Sequence, residues 1–314
     1  MNWKWKARIQ NVVAAMPMSD RVYYAMQRTV GSLKRGRSNP LEWFDAGLSM
    51  AKWVKSAGSE VAGKRILEVG TGRNVCVPTA LWLCGAEQVV TVDLNTYLSE
   101  ALVLESLEYV RRNQERVSQM FGPEAGASGF KERFRQLLGF SGSLSDYLRL
   151  TKTKYLAPAD ATRLDFSDQS FDLHVSHAVF EHIPPDAIRG ILSEARRLLA
   201  PQGLVLHIID PSDHFSHDDA SITAVNFLQF SEREWEKWAG NKFMYHNRLR
   251  GYEYVDLFEQ AGARILRRKF AVDEPSLAML QNGFRLDGRF SQVDPQELAV
   301  RGLILMGTFS DDAD

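Results

Sequence analysis

The chain is poor in several things, and each shortage narrows what it can be. It has two cysteines in 314 residues, too few for a disulfide framework. Cys76 and Cys84 read instead as small buried hydrophobes. Neither charge sign is in excess: 38 Lys and Arg stand against 39 Asp and Glu. That argues against nucleic acid as the main partner. No apolar run is long enough to span a membrane. The N-terminus lacks the apolar core and small-residue cleavage site of a secretory signal, so a cytoplasmic protein is expected. No internal repeat is visible. What remains is 45% hydrophobic and 25% charged, the profile of a globular protein. Its length suits one large domain with additions.

The most informative stretch runs Ile66-Leu67-Glu68-Val69-Gly70-Thr71-Gly72-Arg73-Asn74. A short apolar run, an acid and two spaced glycines describe a buried parallel strand whose following turn lies against a ligand. Gly70 and Gly72 let the backbone turn tightly and approach closely. Glu68 puts a carboxylate at that edge, which suits a cationic ligand, whereas a pyrophosphate would want bare amides. Some twenty residues on, Gln88 to Leu94 reads as a second strand ending in Asp93. An acid at that tip can accept both ribose hydroxyls of an adenosine. Further on come Asp160-Ala161, Leu164-Asp165-Phe166 and Ser170-Phe171-Asp172-Leu173.

In this order the blocks resemble the class I S-adenosylmethionine (SAM) dependent methyltransferases over roughly residues 64 to 210. Asn74 stands where that family often has a third glycine, and Asn tolerates left-handed φ better than most residues. The resemblance implies a doubly wound α/β fold, Rossmann-like, with seven strands, a reversed last strand and the site at the carboxyl ends. It implies SAM as cofactor. Glu68, Gly70, Thr71 and Gly72 would hold its amino-acid tail, and Asp93 its ribose, with Leu94 beside the adenosine. Asp160 and Ala161 would meet the adenine edge, and Ser176 and His177 would lie beside the methionine part. Phe180-Glu181-His182-Ile183 resembles the family's Glu-His-Ile/Val run, whose histidine is often structural.

Around this core, residues 1–63 look helical and are expected to cap the site, with residues 64–314 as the methyltransferase domain. A Gly/Ser-rich basic linker, Gly31 to Pro40, reads as a mobile loop. The excursion 96–152 reads as one long helix, Tyr97 to Met120, then a break at Gly122 to Gly129 and a second helical piece, Ser143 to Leu150. A second insertion spans 211–250 and is rich in His, Asp and aromatics. Met1 to Met18 interleaves tryptophans with basic residues. A peripheral contact with a membrane surface is one reading, and packing on its own domain is preferred.

Methyl transfer is an in-line displacement, so the enzyme mainly aligns the acceptor. A hydroxyl acceptor also profits from a general base, and His suits neutral pH. His214 is the first candidate and His217 the second, because both follow the fifth strand. Asp210, Asp213, His214, His217, Asp218 and Asp219 offer oxygen and imidazole ligands, but their spacing matches no metal signature and no metal is assigned. A solvated acidic loop whose histidines cap neighbouring helices is the plainer alternative. Asp210, Tyr245, Arg248 and Arg250 are candidate acceptor contacts, the arginines as anion clamps. The second insertion is loosely similar to unassigned bacterial methyltransferases of surface-polysaccharide and secondary pathways. The expected reaction is methylation of a small molecule, foremost at a hydroxyl of a sugar or secondary metabolite.

Three other readings compete. An amine-directed nucleic-acid methyltransferase should carry Asn/Asp-Pro-Pro-Tyr/Phe after the fourth strand, where this chain has Ser176-His177-Ala178-Val179. A non-catalytic SAM-binding or scaffold protein is another, and the acids and the glycine loop speak against it. A dehydrogenase would want a fuller glycine fingerprint, and Val75 stands at its third glycine. The oligomeric state is not legible.

Overall fold

A computed structural model describes residues 2–29, 31, 33–34, 39–122 and 129–309. Its centre is one sheet in the order β3-β2-β1-β4-β5-β7-β6. The strands are β1 (Arg65–Val69), β2 (Gln88–Val92), β3 (Thr153–Leu156), β4 (Phe171–His177), β5 (Leu199–Ile209), β6 (Arg264–Val272) and β7 (Val300–Thr308). β1 to β5 are parallel neighbours, and β7 runs antiparallel to both β5 and β6. The expected doubly wound sheet with a reversed last strand is therefore present. Its order reverses at β1 and β4, so a crevice opens at their carboxyl ends.

Preceding the sheet are α1 (Trp3–Ala14), α2 (Ser19–Thr29) and α3 (Leu41–Ser56). α4 (Cys76–Leu83) follows β1 and is buried on every side, as a helix apolar all round must be, with the one hydroxyl, Thr79, bonded to the Val75 carbonyl. α3 lies directly on it. A Cβ on Gly47 would stand 2.7 Å from that of Ala80, so glycine allows the close crossing. α3 thus belongs to the main core and not to a cover. On the other face, α9 (Pro185–Leu198) presents Ile188, Ile191, Leu192, Ala195 and Leu198 to the sheet. That is the apolar stripe its helical spacing dictates. α11 (Gly251–Gln260) completes this layer.

The excursion after β2 differs from expectation. It holds α5 (Glu100–Arg112), α6 (Gln114–Phe121), α7 (Phe130–Leu138) and α8 (Leu144–Leu150). The single long helix is broken at Asn113, whose backbone leaves helical geometry and whose side chain donates to the Tyr109 carbonyl at 2.9 Å. α7 had no counterpart in the sequence reading; it is tied down by Phe130, Phe134 and Leu137. Gly122 and Gly129 both have positive φ, and residues 123–128 between them lie outside the described residues. Much of the basic linker, including 35–38, also lies outside them.

A third core joins α1 to the second insertion. Trp3 is buried against Phe215, Phe230, Trp235 and Trp238. Its backbone amide donates to Asp219 at 2.7 Å. α10 (Glu232–Ala239), α12 (Glu274–Gln281) and α13 (Pro295–Leu298) complete the chain. α1 therefore packs on its own protein through one side, while Trp5, Ile9 and Val12 remain exposed on the other. No helix among the described residues is long and apolar enough to cross a membrane.

Candidate active site

β1 delivers Gly70 and Gly72 into a left-handed turn, with φ of 82° and 68°. A Cβ on Gly70 would lie 2.6 Å from a Val179 methyl, so both its φ and its surroundings require glycine. The amide of Gly72 donates to the Asp93 carboxylate, at 3.1 and 3.3 Å to its two oxygens. The loop and the strand-two acid thus hold one another. Glu68 is buried, and its Oε2 has no hydrogen-bond partner. Burial pushes Glu68 up to about 7, opposed by the hydroxyls of Thr91 and Thr71 and reinforced by Asp93. Burial likewise pushes Asp93 up to about 6, opposed by the Gly72 amide.

Two joined cavities flank this turn. The larger, about 860 Å³, is lined by Gly70, Arg73, Asp93, Leu94, Asp160 and Ala161, with His182 and Tyr245 at its other side. The smaller, about 380 Å³, is lined by Glu68, Gly70, Thr71, Gly72, Arg73 and His177. α2 covers both: Asp20, Arg21 and Tyr24 face the first, Tyr23 and Gln27 the second. It is fastened to α5 by the Arg28–Glu105 pair, at 2.9 and 2.5 Å, and by Tyr24 to Ser99 at 2.9 Å. The Arg73 guanidinium lies against the Tyr24 and Tyr97 rings, 4.7 and 5.6 Å from their centroids. Asp160 keeps a turn role as well, since its Oδ1 accepts from the amide and hydroxyl of Thr162 at 2.9 and 2.7 Å.

At the other end of the edge, Asp210 follows β5. Its Oδ2 stands 3.5 Å from His214 Nε2 and 3.4 Å from His217 Nε2. Burial disfavours its ionisation, but the two imidazoles beside it prevail and hold it well below the usual carboxylate range. The same pairing, against burial, raises His217. Asp210, Ser212 and His217 line a third cavity of about 680 Å³. His214 turns elsewhere, into a group with His182 and His246.

Residues 127–207, from just before α7 to within β5, match the family model described as a methyltransferase domain. The protein is a SAM-dependent methyltransferase. The matched stretch is about a quarter of the chain, and the glycine loop lies ahead of it. The chain is similar to several solved structures. One is the PH0226 protein of Pyrococcus horikoshii OT3, 14% identical, with a TM-score of 0.48 over 90% of this chain and 98% of that one. Another is magnesium protoporphyrin IX methyltransferase of Synechocystis PCC 6803, solved with bound SAH: 12% identical, TM-score 0.47, covering 93% and 100% of the two chains. A third is the 1,6-didemethyltoxoflavin-N1-methyltransferase of Burkholderia thailandensis, 14% identical, TM-score 0.46, covering 93% and 87%. Likenesses this distant carry no information about the acceptor. No match is found among curated proteins.

The cofactor of this methyltransferase is SAM, and the cleft has the chemistry for it. SAM is cationic at sulfur and at its amino group. The cleft holds two buried acids, one with an unpartnered oxygen, and Gly72 has nothing within 4 Å of where a Cβ would stand. All the expected cofactor residues line the two cavities except Ser176. That residue is fully buried inside the sheet and shares a 2.7 Å hydrogen bond with His207, which in turn lies 3.2 Å from His174. Its hydroxyl completes a buried polar chain between β4 and β5 and does not reach the cleft.

Arg248 and Arg250 also depart from expectation. Arg248 donates to the Phe227 and Phe230 carbonyls at 3.0 and 2.6 Å and pairs with Glu232 at 2.7 Å. Arg250 is wholly buried and donates to the carbonyls of Pro211, Leu298 and Val300 at 2.5, 3.0 and 2.5 Å. Arg248 holds the insertion to itself and Arg250 ties it to α13 and β7, and neither lines the three cavities described. Tyr245 does line the cofactor cleft. Three acids of the loop are spent on structure. Asp213 accepts from Phe215 and Asn226, Asp218 pairs with Lys6, and Asp219 accepts from Trp3 and Ser221. The sequence reading gave His246 no role and favoured a structural one for His182; the density of histidine in and just before the insertion was the available signal.

Proposed function

We propose that this methyltransferase acts on a hydroxyl of a small molecule, of the sugar or secondary-metabolite class, in the cytoplasm. When bound, SAM supplies a methyl group on a sulfonium, a strong electrophile. The chain's part is then to hold the cofactor, align the acceptor and take up the hydroxyl proton. Glu68, Gly70, Thr71 and Gly72 are assigned to the tail, Asp93 and Leu94 to the ribose side, Asp160 and Ala161 to the adenine side, and His177 to the methionine part. The balanced charge of the chain favours a small acceptor over nucleic acid.

The observation that carries the hydroxyl reading is the Asp210–His217 pair on the wall of the 680 Å³ cavity. Asp210 comes two residues after Ile208, which pairs in the sheet with His177 of the cofactor cavity. On this reading a base there would serve the methyl end of the bound cofactor. His217, half exposed and backed by a carboxylate, suits a base; His214 is enclosed by other rings and is not given that role. The sign of the pH effect follows. A base must be neutral, and Asp210 raises His217, so turnover should climb with pH through a value above about 6.5.

The test is methyl transfer from labelled SAM to panels of hydroxyl, amine and thiol compounds. Hydroxyl compounds should be labelled. His217→Ala should lower turnover by about 10²–10⁴ and remove the acidic limb of the pH–rate profile, with SAM affinity nearly unchanged. Labelling confined to amines or thiols, with His217→Ala fully active, would sink the hydroxyl assignment.

A further inference from the structure

Four of the chain's seven histidines meet at the histidine end of the site. Three of them come from separate segments. His182 lies in the turn after β4, His214 in the loop after β5, and His246 at the end of the second insertion. One ring nitrogen from each lies within 4.8 Å of those of the other two. We propose that His182, His214 and His246 form a binding site for a divalent transition-metal ion, zinc or a close relative, with the Asp210 carboxylate beside it.

The unmet polar atoms carry the argument. His246 is 6% exposed, and its Nε2 has no hydrogen-bond partner. His214 Nε2 is also buried without a hydrogen bond, its nearest acid 3.5 Å away at Asp210. Buried polar atoms are ordinarily satisfied, and an exception asks for a cause such as an ion. Ring packing explains the contacts, with the His214 and His246 centroids 3.9 Å apart and edge-on. It does not explain why these nitrogens should be left without partners. Glu181, next to His182, is 1% exposed, and neither of its carboxylate oxygens has a partner. A cation nearby would compensate it.

The surroundings fit metal chemistry. His182 Nδ1 lies 3.0 Å from the Tyr245 carbonyl. A carbonyl can only accept, so Nδ1 carries the proton and Nε2 keeps its lone pair. A ring nitrogen that donates to a carbonyl while the other is free is how protein histidines are oriented toward metals. Asn247 fixes the pairing of segments by donating to the Phe180 and Ile183 carbonyls at 2.7 and 2.9 Å. Imidazole ligands suit zinc, copper, iron and nickel better than magnesium or calcium. The other group, Asp210 with His214 and His217, is less buried, and its members already face one another. The proposal does not rest on the hydroxyl assignment.

The experiment uses tag-free full-length protein. Elemental analysis as purified, then titration of the chelator-treated protein with Co²⁺ followed by its visible d–d absorption, should reveal one tight site that Zn²⁺ displaces. His246→Asn and His182→Gln should each weaken Co²⁺ binding by about 100-fold or more, while His217→Ala changes it by about threefold at most. SAM affinity and the thermal transition report whether each variant is folded. Wild-type protein that neither carries nor takes up Co²⁺ or Zn²⁺ overturns the site. So does a folded His246→Asn that binds as well as wild type. Loss of binding in His217→Ala equal to that in His246→Asn overturns this ligand set in favour of the Asp210 group. Methyl transfer is not needed for the readout, so failure of the hydroxyl assignment and failure of this site remain distinguishable.

Discussion

One end of the sheet's carboxyl edge is built from two carboxylates, and the other from four imidazoles and a carboxylate that two of them flank. Glu68 and Asp93 are raised by burial to about 7 and about 6. Asp210, with comparable burial pressure, is held far lower because the His214 and His217 imidazoles stand beside it. The same residue type therefore does opposite things. The first pair is short of positive charge and suits a cationic cofactor. The second acid is already answered by its own chain, and under the proposed function it would tune a base. Partners decide between these outcomes more than burial does.

The comparison can be sharpened from its strongest element down. Arg250 serves neither end directly; it locks the exit of β5 to the start of β7 through three carbonyls. Arg250→Met should cost about 3–5 kcal/mol of stability, because three buried carbonyls lose their donor. Chemical denaturation would measure it. A stable Arg250→Met enzyme with weakened acceptor binding would restore the anion-clamp reading. Next, Asp93→Asn should weaken SAM binding roughly tenfold or more, since a charged hydrogen bond is worth about 1.5–3 kcal/mol, and should leave the histidine end untouched. Calorimetry showing unchanged affinity would remove Asp93 from the ribose side.

The smallest effect is one of pH. Glu68 must be ionised to attract the cofactor's cations, and its free-state value is raised to about 7. Below that value SAM binding must displace a proton, so affinity should rise by about tenfold between pH 6 and pH 8 and then level off. Glu68→Gln should flatten this profile, bringing weaker binding at pH 8 and little change at pH 6. An unchanged slope in the variant would assign the pH dependence to another group, Asp93 first.

The glycine turn and its two acids were legible because they are local. Glu68 to Gly72 is one unbroken segment, and β2 ends in its acid at a regular distance. Hydrophobic runs bounded by turn residues marked five strands closely enough to place Asp93 and Asp160. Boundaries were less secure. β5 begins at Leu199 and not at Leu204, because pairing with Phe171 outweighs the break suggested by Pro201 and Gly203. α7 escaped notice because its apolar residues gain their meaning from Phe121 and the α5 layer. Ser176 sat on the right strand but on its buried side, where His207 claims it; alternation along a strand buried on both faces does not say which side meets the cleft.

The sequence by itself determined the fold class, the glycine turn and the acids beside it. Each of these follows from φ requirements, periodicity and order along a short stretch. Only the tertiary structure decided what the histidines and arginines do. His182, His214 and His246 are far apart in the chain, and Arg248 and Arg250 look like free cations until their carbonyl partners are known. The physical reason is range. A turn or a strand is governed by neighbours a few residues away, whereas the fate of a buried charge or imidazole is set by whichever distant group the fold brings within hydrogen-bond reach.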